Sequence, residues 1–268
     1  MARDTEVNLA MRRFFVERIN LTGSTALISG PDARHIKTVL RLNPGDEIEL
    51  FDGTGGVYPA RITSFLPKQV KVDLLGKYHL TAESPVCITV AQAYLKDNKM
   101  DTLVRQLTEL GITAWFPFIS ERSVPTPNNK RIEGRRQRWQ KIAQESLKQC
   151  RRGRLPLIGH LETFRAVLET AQASDLKIIF WENENRSLQS VVEPSRPERT
   201  VRSIFLLLGP EGGFAIQEVQ QAVACGFQSL SLGPRILKAE TATVAACALI
   251  QYLFGDLGQK HLDKEKGF

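Results

Sequence analysis

The pattern of apolar and polar positions changes character once along the chain. From Phe14 to about Tyr78, short β-prone runs (RFFVERI, DEIELFDG, VYPARITSF and QVKVDLLG) are broken by turn residues, which predicts a small β-rich barrel. Between the first two runs, GPDARHIKTVLRLNPGD sets Ile36, Val39, Leu40 and Leu42 on one apolar face of a short helix that Asn43, Pro44 and Gly45 end. ELFDG and GGVYPARI, joined through Asp52 to Gly56, predict a hairpin whose glycines supply positive φ. A phosphate loop there is the weaker reading, because no helix follows it.

At Leu80 to Pro85 the pattern changes, and VCITVAQA opens a series of strands alternating with helices. Met100, Leu103, Val104, Leu107 and Leu110 recur at helical spacing, with Gly111 at the expected C-cap. WFPFIS, LKIIFWE and SIFLLLG read as strands, EPSRPERT as an irregular loop, and Lys130 to Arg154 as a strongly basic helix. Strands this apolar belong inside a parallel sheet covered on both faces. The expected fold class is therefore α/β, with a β-rich domain at 11–80, a larger domain at 81–257, and flexible tails at 1–10 and 258–268.

Composition narrows this picture. The 268 residues are 42% hydrophobic, enough to give each of two domains a core. A net charge of +7 and a pI of about 9.3 fit either a solvated surface or a polyanionic partner. The N-terminus, MARDTEVNLAMRRFF, has no apolar run of signal-peptide length, and the apolar stretch from Ala239 to Phe254 falls short of the roughly 20 residues that span a bilayer. A cytoplasmic protein without membrane contact is expected. Cys87, Cys150, Cys225 and Cys247 form no C-x-x-C pair and have no histidine in metal-ligand register, so reduced thiols and no metal are expected.

The chemistry concentrates near the C-terminus. SIFLLLGPEGGFAIQEVQQAVACGF is strand, glycine turn and amphipathic helix, with Gly209, Gly212 and Gly213 where the strand ends and backbone can approach a ligand. The turn lacks G-x-G-x-x-G spacing. A dinucleotide site also wants an acid about 20 residues on, at the end of the next strand, whereas QSLSLG ends in Gly233. Both points weigh against a nucleotide-dependent oxidoreductase. PRILKAETATVAACALIQYLF follows, its Ala239, Ala242, Ala245, Ala246 and Ala248 allowing close helix packing and its Glu240 lying near the helix's positive end.

LLLGPEGGF followed by LSLGPRILKAETAT closely resembles the second and third motifs of SPOUT-class RNA methyltransferases. With RRFFVERI, HIKTVLRLNPGDEIELFDGTGGVYPARI, KMDTLVRQLTELGI, ERSV and RWQKIAQESLKQCRRGRLP in order, the chain from about Met11 to Leu257 resembles the bacterial 16S ribosomal RNA uracil-N3 methyltransferase (RsmE) family. The resemblance implies an N-terminal PUA-like β-barrel that helps hold RNA and a C-terminal α/β trefoil-knot domain that forms a homodimer. It also implies S-adenosylmethionine as cofactor and 16S ribosomal RNA or the small subunit as partner. In such a knot, the end of LKIIFWE near Trp181 and Glu182 meets the two glycine loops, and Leu208, Gly209, Gly213, Leu232, Gly233, Ile236 and Leu237 become the candidates for holding adenine and ribose.

Arg235 is the candidate for stabilising charge on the uracil, with pairing to Glu211 or Glu240 as its alternative role; either carboxylate, if burial raised its pKa, is a candidate base. Arg12, Arg13, Arg34, His35, Arg41, Arg152 and Arg154 are candidate RNA contacts, each equally readable as a solvated charge, and a lone barrel histidine such as His35 more often packs than binds. Two further readings remain open from sequence. One is a SPOUT enzyme acting on a ribose 2′-hydroxyl or another base, which locating the methyl would separate. The other is a non-catalytic RNA-binding assembly factor, which would bind no S-adenosylmethionine.

Overall fold

The computed structural model describes residues 11–79, 83–124, 129–191 and 201–258; the expected tail at 1–10, nearly all of that at 258–268, and the loop EPSRPERT lie outside the described residues. The chain divides into two compact units, residues 1–83 with 147–155 and residues 84–146 with 156–268. Residues 147–155, counted with the second domain from sequence, thus belong to the first.

In the first unit, β1 (Arg13–Phe15), β2 (Leu21–Thr22), β3 (Thr25–Ser29), β4 (Glu47–Phe51), β5 (Gly56–Phe65) and β6 (Gln69–Leu74) form a sheet in the order β1-β4-β5-β6-β3-β2, with β7 (Tyr78–His79) on β5. Alternate residues from these strands, among them Phe14, Ile28, Ile48, Leu50, Ile62 and Val72, meet in one core, so the sheet curls. Its pairing does not close into a full barrel, since β1 and β2 stand at opposite ends of the order. α1 (Gly30–Arg34) continues into a wider turn at His35–Val39, where Leu40 N–H donates to His35 O at 3.0 Å. The wider turn shifts the apolar face. Ile36 is buried and Leu40 and Leu42 pack on the core, but Val39, expected on the same face, is 66% exposed.

The hairpin turn between β4 and β5 is built on Asp52. Its Oδ1 accepts from Thr54 N–H at 2.8 Å and Gly56 N–H at 3.1 Å, and Tyr58 OH donates to Oδ2 at 3.0 Å. Burial pushes this carboxyl's pKa up, but the hydrogen bonds outweigh it and hold the group below the usual carboxylate range. The turn then pairs with the segment that follows the basic helix: Gly55 N–H donates to Gly153 O at 3.0 Å and Leu155 N–H to Gly53 O at 2.9 Å. DGTGG is thus a docking edge for RRGR.

In the second unit, β8 (Cys87–Ala93), β9 (Ala114–Ile119), β10 (Leu157–Ile158), β11 (Glu162–Thr163), β12 (Leu176–Phe180), β13 (Ser203–Leu208) and β14 (Gln228–Leu230) form a sheet ordered β10-β9-β8-β13-β12-β14, with β11 also on β9. Every recorded pairing is parallel. Ile204 to Leu207 on β13 are all buried, as its central position requires. α4 (Phe164–Thr170) and α5 (Ile216–Ala224) cover one face through Val167, Leu168, Val219 and Ala222, which cluster with Phe205 and Leu207.

Three further helices belong to this half of the sequence: α2 (Lys99–Glu109), α3 (Asn129–Cys150) and α6 (Ala239–Phe254). Trp139 of α3 meets Trp115 of β9 edge-on at 4.9 Å, and α6 packs against β13 and α2 with Ala246 and Cys247 buried. Gly111 takes φ +85° just after α2, as a C-terminal cap demands. α3 stops at Cys150, four residues before the expected Arg154, because Arg151 turns to φ +61°. Among the described residues no helix is long and apolar enough to cross a membrane.

Candidate cofactor site

β12, β13 and β14 are neighbours in the sheet, and because they are parallel their carboxyl ends open on the same side. That edge is where open α/β sheets bind ligands. The chain after β12 supplies Trp181 and Glu182, the chain after β13 Gly209 to Phe214, and the chain after β14 Ser231 to Gly233 and Arg235 to Leu237. Together they line a cleft of about 250 Å³ that Leu208, Ala239 and Ala242 complete. All seven residues nominated for adenine and ribose, Leu208, Gly209, Gly213, Leu232, Gly233, Ile236 and Leu237, line it, as do Arg235 and Glu211.

The glycines are required for separate reasons. Gly213 has φ +67°, donates its N–H to Pro210 O at 3.0 Å, and would drive an added Cβ into the Glu182 carboxylate. Gly233 has φ +105° with open space beside its Cα, so its need is conformational.

A polar frame behind the cleft holds the loops in place. Buried Gln92 at the end of β8 donates to Gly209 O at 3.0 Å and accepts from Thr243 Oγ1 of α6. Lys99, at the start of α2, contacts Glu211 at 3.0 Å and Glu240 at 3.5 Å, and Lys96 N–H also donates to Glu211. The Arg235 pairing considered from sequence is thus taken by Lys99; Arg235 is exposed and makes no hydrogen bond or ion pair with any described residue.

Burial acts to raise the Glu211 carboxyl, yet the Lys99 ammonium and the Lys96 N–H prevail and hold it below its ordinary value, the direction opposite to what a base at neutral pH needs. The Glu211 hydrogen bond raises Lys99 in turn. On the other side, buried Glu218 of α5 accepts from Ala215 N–H, Ser120 Oγ and Glu121 N–H, each at 3.0 Å, which anchors ERSV beside the glycine loop; Arg122 Nη1 donates to Gly212 O at 3.1 Å. Gln92, Lys99 and Glu218 were missed from sequence. Only Glu218 left a local signal, an acid three residues into a helix.

The candidate RNA contacts separate into two groups. Arg12, Arg34, His35, Arg41 and Arg154 are exposed. In the first unit, Arg34 and His35 border a groove with Lys37, Lys68, Val39 and Leu66. Arg13 and Arg152 are corrected: they are 7% and 5% exposed and face inward. Arg13 pairs with Glu49 and donates to Leu147 O at 3.2 Å and Arg152 O at 3.3 Å, while Arg152 pairs with Glu83 at 2.9 Å. Unpaired charge cannot be buried cheaply, so these guanidiniums are fixed to their carboxylates and are not free to meet phosphate. On α3, Arg136 pairs with Glu133, Arg138 with Asp101, and Arg135 donates to Tyr94 OH, which spends much of the helix's apparent basic surface internally.

Comparison with known proteins adds to this geometry. Residues 82–251 match the family described as RNA methyltransferase domain, and residues 28–75 match the RNA methyltransferase PUA domain. The ribosomal RNA small subunit methyltransferase E of Bacillus subtilis (strain 168) is 30% identical over 254 residues, covering 90% of this chain and 96% of that protein. The chain belongs to the ribosomal RNA small subunit methyltransferase E family. A Neisseria gonorrhoeae methyltransferase E, solved bound to S-adenosyl methionine, shares 35% identity at a TM-score of 0.81, covering 92% of this chain and 99% of that one. A Legionella pneumophila methyltransferase in complex with bound SAM shares 28% identity at a TM-score of 0.82, over 92% and 99% of the two chains. Membership in the methyltransferase E family sets aside the oxidoreductase reading, which the absent ribose acid beyond Gly213 had already weakened.

Proposed function

We propose that this chain transfers a methyl group from S-adenosylmethionine to N3 of a uridine in 16S ribosomal RNA, acting in the cytoplasm as a homodimer whose C-terminal segment is knotted. The observation that carries the reading is the cleft at the ends of β12, β13 and β14, where every residue nominated for the cofactor meets. Its character fits the group: apolar walls from Leu208, Leu232 and Ile236 and main chain laid open at Gly209, Gly213 and Gly233 suit adenine and ribose. Bound there, S-adenosylmethionine supplies a methyl already activated by its sulfonium.

The chain's own work is positioning and charge stabilisation. Arg235, at the cleft and uncommitted, would stabilise the charge that builds on uracil oxygen as the N3 proton passes to solvent. Glu211 and Glu240 serve through Lys99, which holds the glycine loop to α6. Uracil N3 is hidden in a duplex, so the target is an unpaired nucleotide, with Arg12, Arg34, His35, Arg41 and Arg154 as backbone contacts.

The deciding experiment is mass mapping of 16S ribosomal RNA from cells with and without this protein. An N3-methyluridine that disappears on deletion supports the reading; loss of a ribose methyl overturns it.

Lys99→Met is expected to weaken S-adenosylmethionine binding severalfold in calorimetry with the fold retained, since it frees the loop from α6. For the wild-type link, the depressed Glu211 contributes fully above the ordinary glutamate value and is lost as pH falls through its lowered value; the raised Lys99 contributes fully below the ordinary lysine value and is lost as pH climbs through its raised one. Affinity should therefore be flat across neutral pH. A sharp dependence near neutrality would count against this role.

Tyr252 of α6 is 64% exposed, beside Leu249 and Leu257, which also expose apolar surface. We take this face as the homodimer contact, because large apolar side chains clustered at a surface mark association sites. Tyr252→Glu is expected to halve the mass measured by light scattering, and an unchanged mass would move the interface elsewhere.

A further inference from the structure

In a dinucleotide site, an acid at the end of the strand next to the glycine loop takes the ribose hydroxyls. Along this chain that position holds no acid, since β14 ends at Leu230 and Ser231, Leu232 and Gly233 follow it. The order of the sheet points elsewhere. The strand hydrogen-bonded to β13 on this side is β12, which comes earlier in sequence and runs directly into Trp181 and Glu182. The register pairs Ile179 with Leu207, so the chain leaves β12 level with the start of the glycine loop. Glu182 lines the cleft, and its carboxylate lies against the bare face of Gly213.

Among the described residues, the one other carboxylate lining this cleft, Glu211, is committed to Lys99 and Lys96. Glu182 has no hydrogen bond or ion pair to any described residue, so its acceptors are available to a ligand. A diol that donates two hydrogen bonds is the natural complement of a carboxylate that accepts only.

We propose that Glu182 is the ribose-binding acid of this site, accepting from the 2′- and 3′-hydroxyls of S-adenosylmethionine. The inference rests on the cofactor reading given above. Spatially it restores the acid that the dinucleotide pattern demands, supplied from the preceding strand instead of the following one. Gly213 is then bare because the acid occupies the space a side chain would fill.

The test is calorimetry on the full chain, wild type, Glu182→Ala and Glu182→Gln, with three probes: S-adenosylmethionine, S-adenosylhomocysteine and the 2′,3′-dideoxy analogue of S-adenosylhomocysteine. Glu182→Ala is expected to lose about tenfold or more in affinity for the first two, the effect of a charge-assisted hydrogen bond, and to bind the dideoxy probe as wild type does. Glu182→Gln, which keeps the size and one acceptor, should fall between, with an unchanged melting temperature. Unchanged S-adenosylmethionine affinity in Glu182→Ala, or an equal loss for the dideoxy probe, overturns the assignment. A loss confined to S-adenosylmethionine also overturns it, because the carboxylate would then be reading the sulfonium charge. Wild-type protein that binds none of the three probes would instead remove the cofactor reading itself.

Discussion

Gly213→Ala is expected to reduce affinity for S-adenosylmethionine by well over tenfold while leaving the melting temperature nearly unchanged. Two costs combine. At φ +67° a side chain meets the left-handed penalty of roughly 1–2 kcal/mol; the free loop sheds it by relaxing, and cofactor binding must restore it, worth about tenfold by itself. The new methyl would also land on the Glu182 carboxylate, so either that side chain swings away from the cleft or the glycine loop shifts. Each adjustment disorganises the surface on which the cofactor rests. The fold itself should tolerate the change, because the loop lies at the carboxyl edge of the sheet and β13 behind it is held by β8 and β12 on either side.

The double variant separates the two costs. In a Glu182→Ala background the methyl at 213 has nothing to strike, so only the backbone penalty remains and the two losses should fall short of additive. Strictly additive losses would show that Glu182 and Gly213 act independently, contrary to their contact.

How much of this was legible before the structure depends on how far apart in sequence the partners are. SIFLLL was recognisable as a central strand because burial on both faces removes alternation altogether, and Met100 to Leu110 was recognisable as a helix because its apolar spacing is local. The residues that line the cleft were legible because two glycine loops carry unusual backbone demands in adjacent motifs.

What stayed hidden was non-local. Glu182 precedes Gly213 by a strand and a loop, and only the sheet order makes them neighbours. Lys99 looks like an ordinary first-turn residue until Glu211 and Glu240 arrive from far along the chain. Val39 was assigned inward by a 3.6-residue period, and one wider turn at His35 turned it outward. The sharpest misreading was charge. A run such as KQCRRGR looks solvated, but the carboxylates that pair with it, Asp32 and Glu83, lie 116 and 69 residues before Lys148 and Arg152.

Arg152 and Arg154, two residues apart, should consequently behave as opposites. Arg152→Ala leaves the Glu83 carboxylate beside an empty buried site. Glu83 Oε2 loses the guanidinium at 2.9 Å, while Oε1 continues to accept from Gly153 N–H at 2.9 Å and Arg154 N–H at 2.8 Å. Breaking a buried pair by removing one partner costs about 3–5 kcal/mol, and here it also loosens residues 147–155 from the hairpin turn at Gly53 to Gly55. Denaturant unfolding should report the loss, and the folded fraction should retain the wild-type salt dependence of RNA binding. Arg154→Ala removes an exposed guanidinium, so stability should hold while the slope of log affinity against log salt flattens by about 0.7 to 0.9, the contribution of one phosphate contact. If Arg152→Ala, at matched folded concentration, flattened the slope as Arg154→Ala does, then its side chain must leave Glu83 to reach RNA, and the inward-facing role assigned to it would be wrong.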